Sequence, residues 1–204
     1  MTTNRAIYDF LVSDNNLQYA QELSRDLDIF QKDMHKQFWS KYNQLMTLRI
    51  ASSEVNIDWA FHPFTTKKLL TDWGGCHFSH NNYPKSKVKL SLSMCQESRE
   101  TNFRLAYTLD WGVSKTEVNF NGSSLINLSL KLADYKISIP GSYSLLFGYS
   151  QWRIYDPDFL TKIYKDVEVF CQTIVDHNWK MFLDLRPLLE KVNEDVSTLN
   201  YGES

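Results

Sequence analysis

Residues 87–94 read KVKLSLSM, and polar and apolar residues alternate through this stretch without interruption. The same alternation recurs in residues 103–111, FRLAYTLDW, and in residues 126–132, INLSLKL. Successive side chains of a β-strand leave opposite faces of the sheet, so this alternation indicates strands with one buried face. Three such stretches in succession predict an antiparallel sheet with one face toward solvent, whose apolar face needs a cover from other elements.

Residues 124–136 allow a second interpretation, because leucines at this density also fit the apolar face of a helix. The alternation of Asn127, Ser129 and Lys131 with apolar residues favours a strand. We therefore predict a strand in residues 124–136 and keep the helix as the competing interpretation.

Helical patterns lie on both sides of the predicted strands. Residues 4–12 indicate a short helix, and residues 13–16 then offer several good N-capping side chains for a second one. From Ala20 to Leu48, apolar residues recur every three or four positions, and neither Gly nor Pro interrupts them. A helix of about 33 residues, from these caps to Leu48, would extend about 50 Å, which exceeds the diameter of a compact domain. The pattern therefore predicts a helix that breaks, projects or packs against a partner helix.

A second long helical pattern occupies the C-terminal part of the chain. Asp156, Pro157 and Asp158 are typical of a helix start, because they supply a cap, a residue suited to the first turn and an acid at the positive end of the helix dipole. Pro187 lies inside the pattern and predicts a kink or a split, because proline removes a backbone donor and clashes with the preceding turn.

These patterns together predict an α+β fold in a single domain, residues 1–204. Residues 1–50 are expected to be helical and residues 55–155 mainly β, forming a central antiparallel meander. Residues 157–196 are expected to form a long helical segment packed on the sheet.

Charge and cysteine content narrow the classes of function. The net charge of −2 argues against a general nucleic-acid-binding protein, which usually carries a marked basic excess. Three cysteines, an odd number without paired spacing, are typical of a reducing cytoplasm rather than a disulfide framework. The sequence begins without a signal-peptide pattern and has no apolar run of membrane-spanning length, so we expect a cytoplasmic protein without a membrane segment.

Two groups of residues have the composition of a metal site. Cys76, His80 and Cys95 could contribute zinc ligands from adjacent strands, but they lack paired Cys-x-x-Cys spacing, and ordinary sheet positions are the favoured interpretation.

Asp110, Asp134 and Lys136 have the residue types of a divalent-metal nuclease, in which acids hold the ion and a lysine stabilises developing charge. Many sheet proteins would offer the same three residues by chance. The sequence predicts no cofactor.

A small basic neighbourhood interleaved with aromatic residues is the candidate binding surface, since such a combination can hold an acidic protein or a nucleic-acid strand. It consists of Lys67, Lys68, Trp73, Tyr83, Lys85, Lys87 and Lys89. A solvated sheet face is the default explanation for these residues.

The favoured functional hypothesis is a non-enzymatic intracellular protein-binding module, such as an adaptor, an immunity-type factor or an inhibitor encoded by a mobile element. Catalytic motifs are missing from the sequence, whereas helical and aromatic surface is plentiful. The expected partner is another protein or a second copy that associates through the long helices. The alternative is a divalent-metal-dependent nuclease or an inactive relative of one.

Overall fold

Helices form the larger part of the chain that the structure describes, and an antiparallel sheet forms the smaller part. The computed structural model describes residues 5–53, 58–65, 74–82, 90–97, 104–111, 122–135, 146–153 and 156–197. The helices are α1 (Arg5–Val12), α2 (Asn16–Ala51), α3 (Ser123–Ala133) and α4 (Pro157–Ser197). The strands are β1 (Trp59–His62), β2 (Gly74–His80), β3 (Leu90–Glu97), β4 (Arg104–Trp111) and β5 (Leu146–Arg153). The predicted N-terminal helices and long C-terminal helix are confirmed, and the single-domain division stays a prediction.

The strands pair antiparallel in the order of the sequence, β1-β2-β3-β4-β5. In the register of β1 with β2, Trp59 is opposite His80 and Phe61 is opposite Phe78. The ring of Phe78 stacks on that of Phe182 in α4 at a centroid distance of 4.2 Å. One face of the sheet therefore lies against the C-terminal helix, because its aromatic side chains need a cover.

Among the side chains whose burial the structure describes, α2 and α4 supply most of the core. Phe38 of α2 is fully buried, and its ring lies 5.3 Å from that of Phe159 and 6.2 Å from that of Phe170. Further along both helices, the Asn178 amide donates a hydrogen bond to the Tyr42 hydroxyl. The second part of α4 therefore runs beside α2 in the same direction. The C-terminal helix, which was predicted to pack on the sheet, therefore packs on α2 as well.

The predicted strand in residues 124–136 is wrong, because this segment contains α3. The buried side chains of α3 are Ser124, Leu128 and Leu132, which recur every four residues and therefore share one helical face. Leu130, which the strand interpretation placed on the same face as Leu128, is exposed. The alternating leucines fit both the period of a strand and the period of a helix. The packing of α3 against α4 favours the helix.

α4 bends sharply at Asp166 rather than at Pro187, through which the helical backbone continues. Asp166 has an extended backbone with φ of −161° and ψ of 86°. Its Oδ1 accepts a hydrogen bond of 3.0 Å from the backbone N–H of Val169, so Asp166 acts as the N-cap of a new helical segment. The rings of Phe159 and Phe170 lie only 5.4 Å apart, whereas a straight helix would separate these residues by about 16 Å. The first segment of α4 therefore folds back against the second.

Candidate functional site

α1 and the first half of α2 form an arm, residues 5–33, that lies outside the core. No side chain in this range is buried, and the buried residues of α2 begin at Met34. Residues 16–33 alone extend about 27 Å along the helix axis. The long helix therefore projects from the rest of the described residues, which we call the body. Projection is one of the outcomes that the length of the helix predicts.

A tight turn joins the two helices of the arm. The carbonyl oxygen of Phe10 accepts hydrogen bonds from the hydroxyl of Ser13 at 2.8 Å and from the side-chain amide of Asn16 at 2.9 Å. Asp14 has φ of 50°, in the left-handed region that aspartate enters more readily than most residues. The turn thus fixes α1 relative to α2, and the arm is an ordered two-helix unit.

Large apolar side chains cover the arm. Within residues 5–33, ten of them are exposed: Ile7, Tyr8, Phe10, Val12, Leu17, Tyr19, Leu23, Leu27, Ile29 and Phe30. Leu23 is the most exposed leucine of the arm, at 71 %. Single exposed apolar residues are normal, but a contiguous apolar patch is typical of an interaction surface.

The exposed stripe of the arm continues the face of α2 that is buried in the body. Ala20, Leu23, Leu27 and Phe30 follow one another at steps of three or four residues, and the next step reaches the buried Met34. Phe30 meets Tyr164 at the bend of α4, with ring centroids 6.2 Å apart. Beyond this contact, the chain's own α4 no longer covers the stripe.

The charges of the arm are mixed, with an acidic excess. Residues 5–33 contain six acids and three bases: Asp9, Asp14, Glu22, Asp26, Asp28, Asp33, Arg5, Arg25 and Lys32. Asp26 pairs with Arg25 at 3.7 Å, and Asp33 pairs with Lys36 at 3.1 Å. Both pairs are exposed, so each stabilises the arm by no more than about 1 kcal/mol.

A buried polar chain links α2, α4 and β4 in the body. The Tyr107 hydroxyl donates to Asn178 Oδ1 at 2.8 Å, and Asn178 Nδ2 donates to the Tyr42 hydroxyl at 2.9 Å. Burial disfavours the phenolate and raises the pKa of both tyrosines. The hydroxyls therefore stay protonated near neutral pH. No sequence pattern pointed to Asn178, because an isolated asparagine on a helical stripe gives no signal.

Burial also raises the pKa of the Cys171 thiol and of Tyr135. Desolvation raises the pKa of Cys171 to about 12, so this thiol stays protonated and is a poor nucleophile. Partial burial and the hydrogen bond that Tyr135 donates to Asp184, 2.5 Å long, raise the pKa of Tyr135 to about 12. Both groups serve packing between helices.

The structure places the zinc candidates Cys76 and His80 in β2 and Cys95 in the neighbouring strand β3. In the register of these strands, Cys76 is opposite Met94 and Cys95 is opposite Gly75. His80 Nδ1 accepts a hydrogen bond of 3.2 Å from the backbone N–H of Asn82. Desolvation lowers the pKa of His80. Within the described residues, no group of three His, Cys, Asp or Glu side chains could hold a metal ion.

The nuclease candidates fall on separate elements. Asp110 lies in β4, where it pairs with Ser91 of β3, and Asp134 directly follows α3. The Asp134 carboxylate accepts a hydrogen bond of 2.9 Å from Lys131, which raises the pKa of that lysine. Lys136 lies outside the described residues.

The basic neighbourhood predicted as a binding surface lies outside the described residues. This applies to each of its members: Lys67, Lys68, Trp73, Tyr83, Lys85, Lys87 and Lys89. The prediction that these residues form a surface stays a prediction, and the arm is the surface that the described residues provide.

No family model, curated protein or solved structure matches the chain. Among the helices that the structure describes, none combines the length and the hydrophobicity needed to cross a lipid bilayer.

Proposed function

We infer that the chain is a non-enzymatic protein-binding module and that the arm is its contact surface. The observation that carries this conclusion is the exposure of ten large apolar side chains in residues 5–33, a range without a buried side chain. Each apolar Å² that leaves water stabilises a complex by roughly 25 cal/mol, so a partner that covers the arm gains a substantial driving force.

The chemistry of the arm favours a protein partner over nucleic acid or an anionic membrane. Phosphate backbones and anionic lipids attract surfaces rich in Lys and Arg. The arm carries six acids and only three bases, so both kinds of surface would repel it weakly. The apolar side chains of another helix can pack against Leu23, Leu27 and Phe30 without placing a negative charge next to the acidic residues of the arm.

The nuclease alternative has no comparable support. Asp134 is engaged by Lys131 at 2.9 Å, and it follows a helix, whereas Asp110 belongs to a strand. A binding module of the proposed kind can serve as an adaptor, an immunity-type factor or an inhibitor, and these roles share one requirement, an accessible contact surface.

Site-specific photo-crosslinking tests whether the arm is the contact surface. A photoreactive phenylalanine analogue replaces Leu23, which is 71 % exposed, and the variant is irradiated in cells that produce the chain. We expect a crosslinked protein band, because a bound partner would lie within reach of this side chain.

Leu48 provides the matched control, since it is a leucine of the same helix and 57 % exposed but lies outside the arm. The analogue at position 48 should give no such band, and Leu27→Glu should abolish the band from position 23. Equal crosslinking from both positions, or a band that survives Leu27→Glu, would contradict the proposed function.

A further inference from the structure

We propose that the occupant of the arm is a second copy of this chain, with the two α2 arms packed antiparallel about a two-fold axis. This proposal rests on the proposed function, because it assigns a partner to the same surface. Three features of the arm support it: the spacing of its stripe, the position of the α4 bend and the exposed apolar area.

The spacing of the stripe is the same when it is read in either direction. Ala20, Leu23, Leu27 and Phe30 follow one another at steps of three, four and three residues. Two such stripes in antiparallel orientation can therefore meet residue by residue, with Leu23 opposite Leu27 of the second copy. Ala20 then lies opposite Phe30, and a small residue facing a large one suits close packing of two helices.

The bend of α4 selects the antiparallel orientation. Phe30 contacts Tyr164 at the bend, and from Met34 onward the chain's own α4 covers the same face of α2. A parallel partner helix would run along this face into α4. An antiparallel partner covers residues 16–33 and leaves the body of each copy at the opposite end of the pair.

The apolar area of the arm is sufficient for a stable dimer only when both of its helices take part. Ten exposed side chains at about 100 Å² each, roughly half of what a large side chain can bury, set an upper limit of about 1,000 Å² per copy. Two copies then offer about 2,000 Å², compared with the about 1,200–2,000 Å² that stable interfaces bury. Leu23, Leu27 and Phe30 alone supply too little, so the interface also includes side chains of α1.

One contact of this arrangement is unfavourable. Asp26 borders the stripe next to Leu27, and antiparallel pairing places it near Asp26 of the second copy. Like charges at such positions destabilise helical pairs by about 0.2–0.5 kcal/mol. Asp26→Asn should therefore lower the dissociation constant about twofold, and added salt should tighten the parent dimer because it screens this repulsion.

Light scattering coupled to size exclusion measures the mass of the full chain over a wide concentration range. We expect twice the chain mass of 24.0 kDa in the parent and in Leu48→Glu, and 24.0 kDa in Leu23→Glu. Leu23→Glu should keep the parent's far-ultraviolet circular dichroism, because the side chain that it replaces is exposed in the monomer.

Cysteine crosslinking tests the orientation of the pair. A mixture of Leu23→Cys and Leu27→Cys chains should form a disulfide-linked dimer on mild oxidation, whereas either variant alone should form much less. Parallel pairing would instead link each variant to itself. The chain has three native cysteines, of which Cys76 and Cys171 are buried, and the parent chain measures the background from all three.

The outcomes separate this proposal from the proposed function. A monomer at every concentration that still gives an arm-dependent crosslink to another protein would overturn the self-association and leave the protein-binding module intact. A monomer without any arm crosslink would overturn both. A dimer that persists in Leu23→Glu, or that links each cysteine variant to itself, would overturn the antiparallel arm pairing.

Discussion

The two halves of α2 have the same apolar period and opposite environments. In residues 34–51 the stripe is buried, with Met34, Phe38 and Tyr42 packed in the core. In residues 16–33 the stripe continues with Leu23 and Leu27, and both are exposed. The period of the sequence is what makes each half amphipathic, but only the body half has α4 opposite it. Burial is therefore decided by a segment more than a hundred residues away and not by the helix itself.

The buried half of α2 also explains why the exposed arm can be helical. Isolated helices of fewer than about 12–15 residues are marginal in water, and the first turn is the costly step. The body half of α2 supplies an already formed helix, so the arm extends it without a new nucleation step. The arm helix is then stabilised further when a partner covers its stripe.

Truncating one phenylalanine in each half gives the sharpest contrast. Phe38→Ala removes a fully buried ring and should lower the free energy of unfolding by about 3–5 kcal/mol. Phe30→Ala removes a ring that is 36 % exposed and should cost less than half as much in a monomeric variant background. Chemical denaturation followed by circular dichroism measures both values. Equal losses would mean that the arm belongs to the core.

A substitution of Asn178 tests how much the buried polar contacts of α2 contribute to the stability of the body. Asn178→Leu leaves the buried hydroxyls of Tyr42 and Tyr107 without this partner, and we expect a loss of about 2–3 kcal/mol. Adding Tyr42→Phe and Tyr107→Phe to this variant should recover much of the loss, because no unpaired hydroxyl then remains in the chain of contacts. Unfolding curves of the single and triple variants decide between the two outcomes, and a triple variant less stable than Asn178→Leu would refute the account.

Alkaline pH should weaken the body through the same two tyrosines. Burial raises the pKa of Tyr42 and of Tyr107, so both folded and unfolded chains keep these protons below pH of about 10. Above it, the unfolded chain loses protons that the folded chain retains, and the free energy of unfolding falls as pH rises. The expected slope is about 1.4 kcal/mol per pH unit for each tyrosine. Denaturation at several pH values between about 10 and 12 should give a shallower slope for Tyr42→Phe, and an unchanged slope would contradict the assignment.

Of these four tests, loss of the cap at the α4 bend should have the smallest effect on the free energy of unfolding. Asp166→Ala removes the acceptor for the Val169 N–H and should cost about 0.5–2 kcal/mol. Asp166→Ser is the matched control, because serine also caps helices and should retain most of the stability. Thermal unfolding of both variants tests this order, and a more stable alanine variant would exclude the capping role.

Much of the helical structure could be predicted from the sequence, because its signals are local. The spacing from Ala20 to Leu48 and the start at Asp156–Pro157 each need only neighbouring residues, and both helices are present. α3 could not be assigned in this way, since its leucines fit two periods and the choice depended on contact with α4. The sequence pointed to a bend at Pro187 rather than at Asp166, because proline is the stronger local signal. The helical backbone nevertheless continues through Pro187.

The candidate surface was only partly predictable. The length of α2 indicated that part of its stripe would lack a cover, but not which part. The contact of Phe30 with Tyr164 marks the point where α4 stops covering the stripe of α2, and this contact depends on the bend in α4. Met34→Glu would not test a dimer, because Met34 is buried within its own chain and the change would disturb the fold.

The pairing of α2 with α4 also has a consequence for the nascent chain. The residues that meet across this pair are far apart in sequence: 133 positions separate Phe38 from Cys171, and 136 separate Tyr42 from Asn178. Ribosomes add about 5–20 residues per second, so the inner face of α2 would wait on the order of ten seconds for its cover. During this interval both halves of the helix present apolar stripes, and chaperones or neighbouring nascent chains can reach either one.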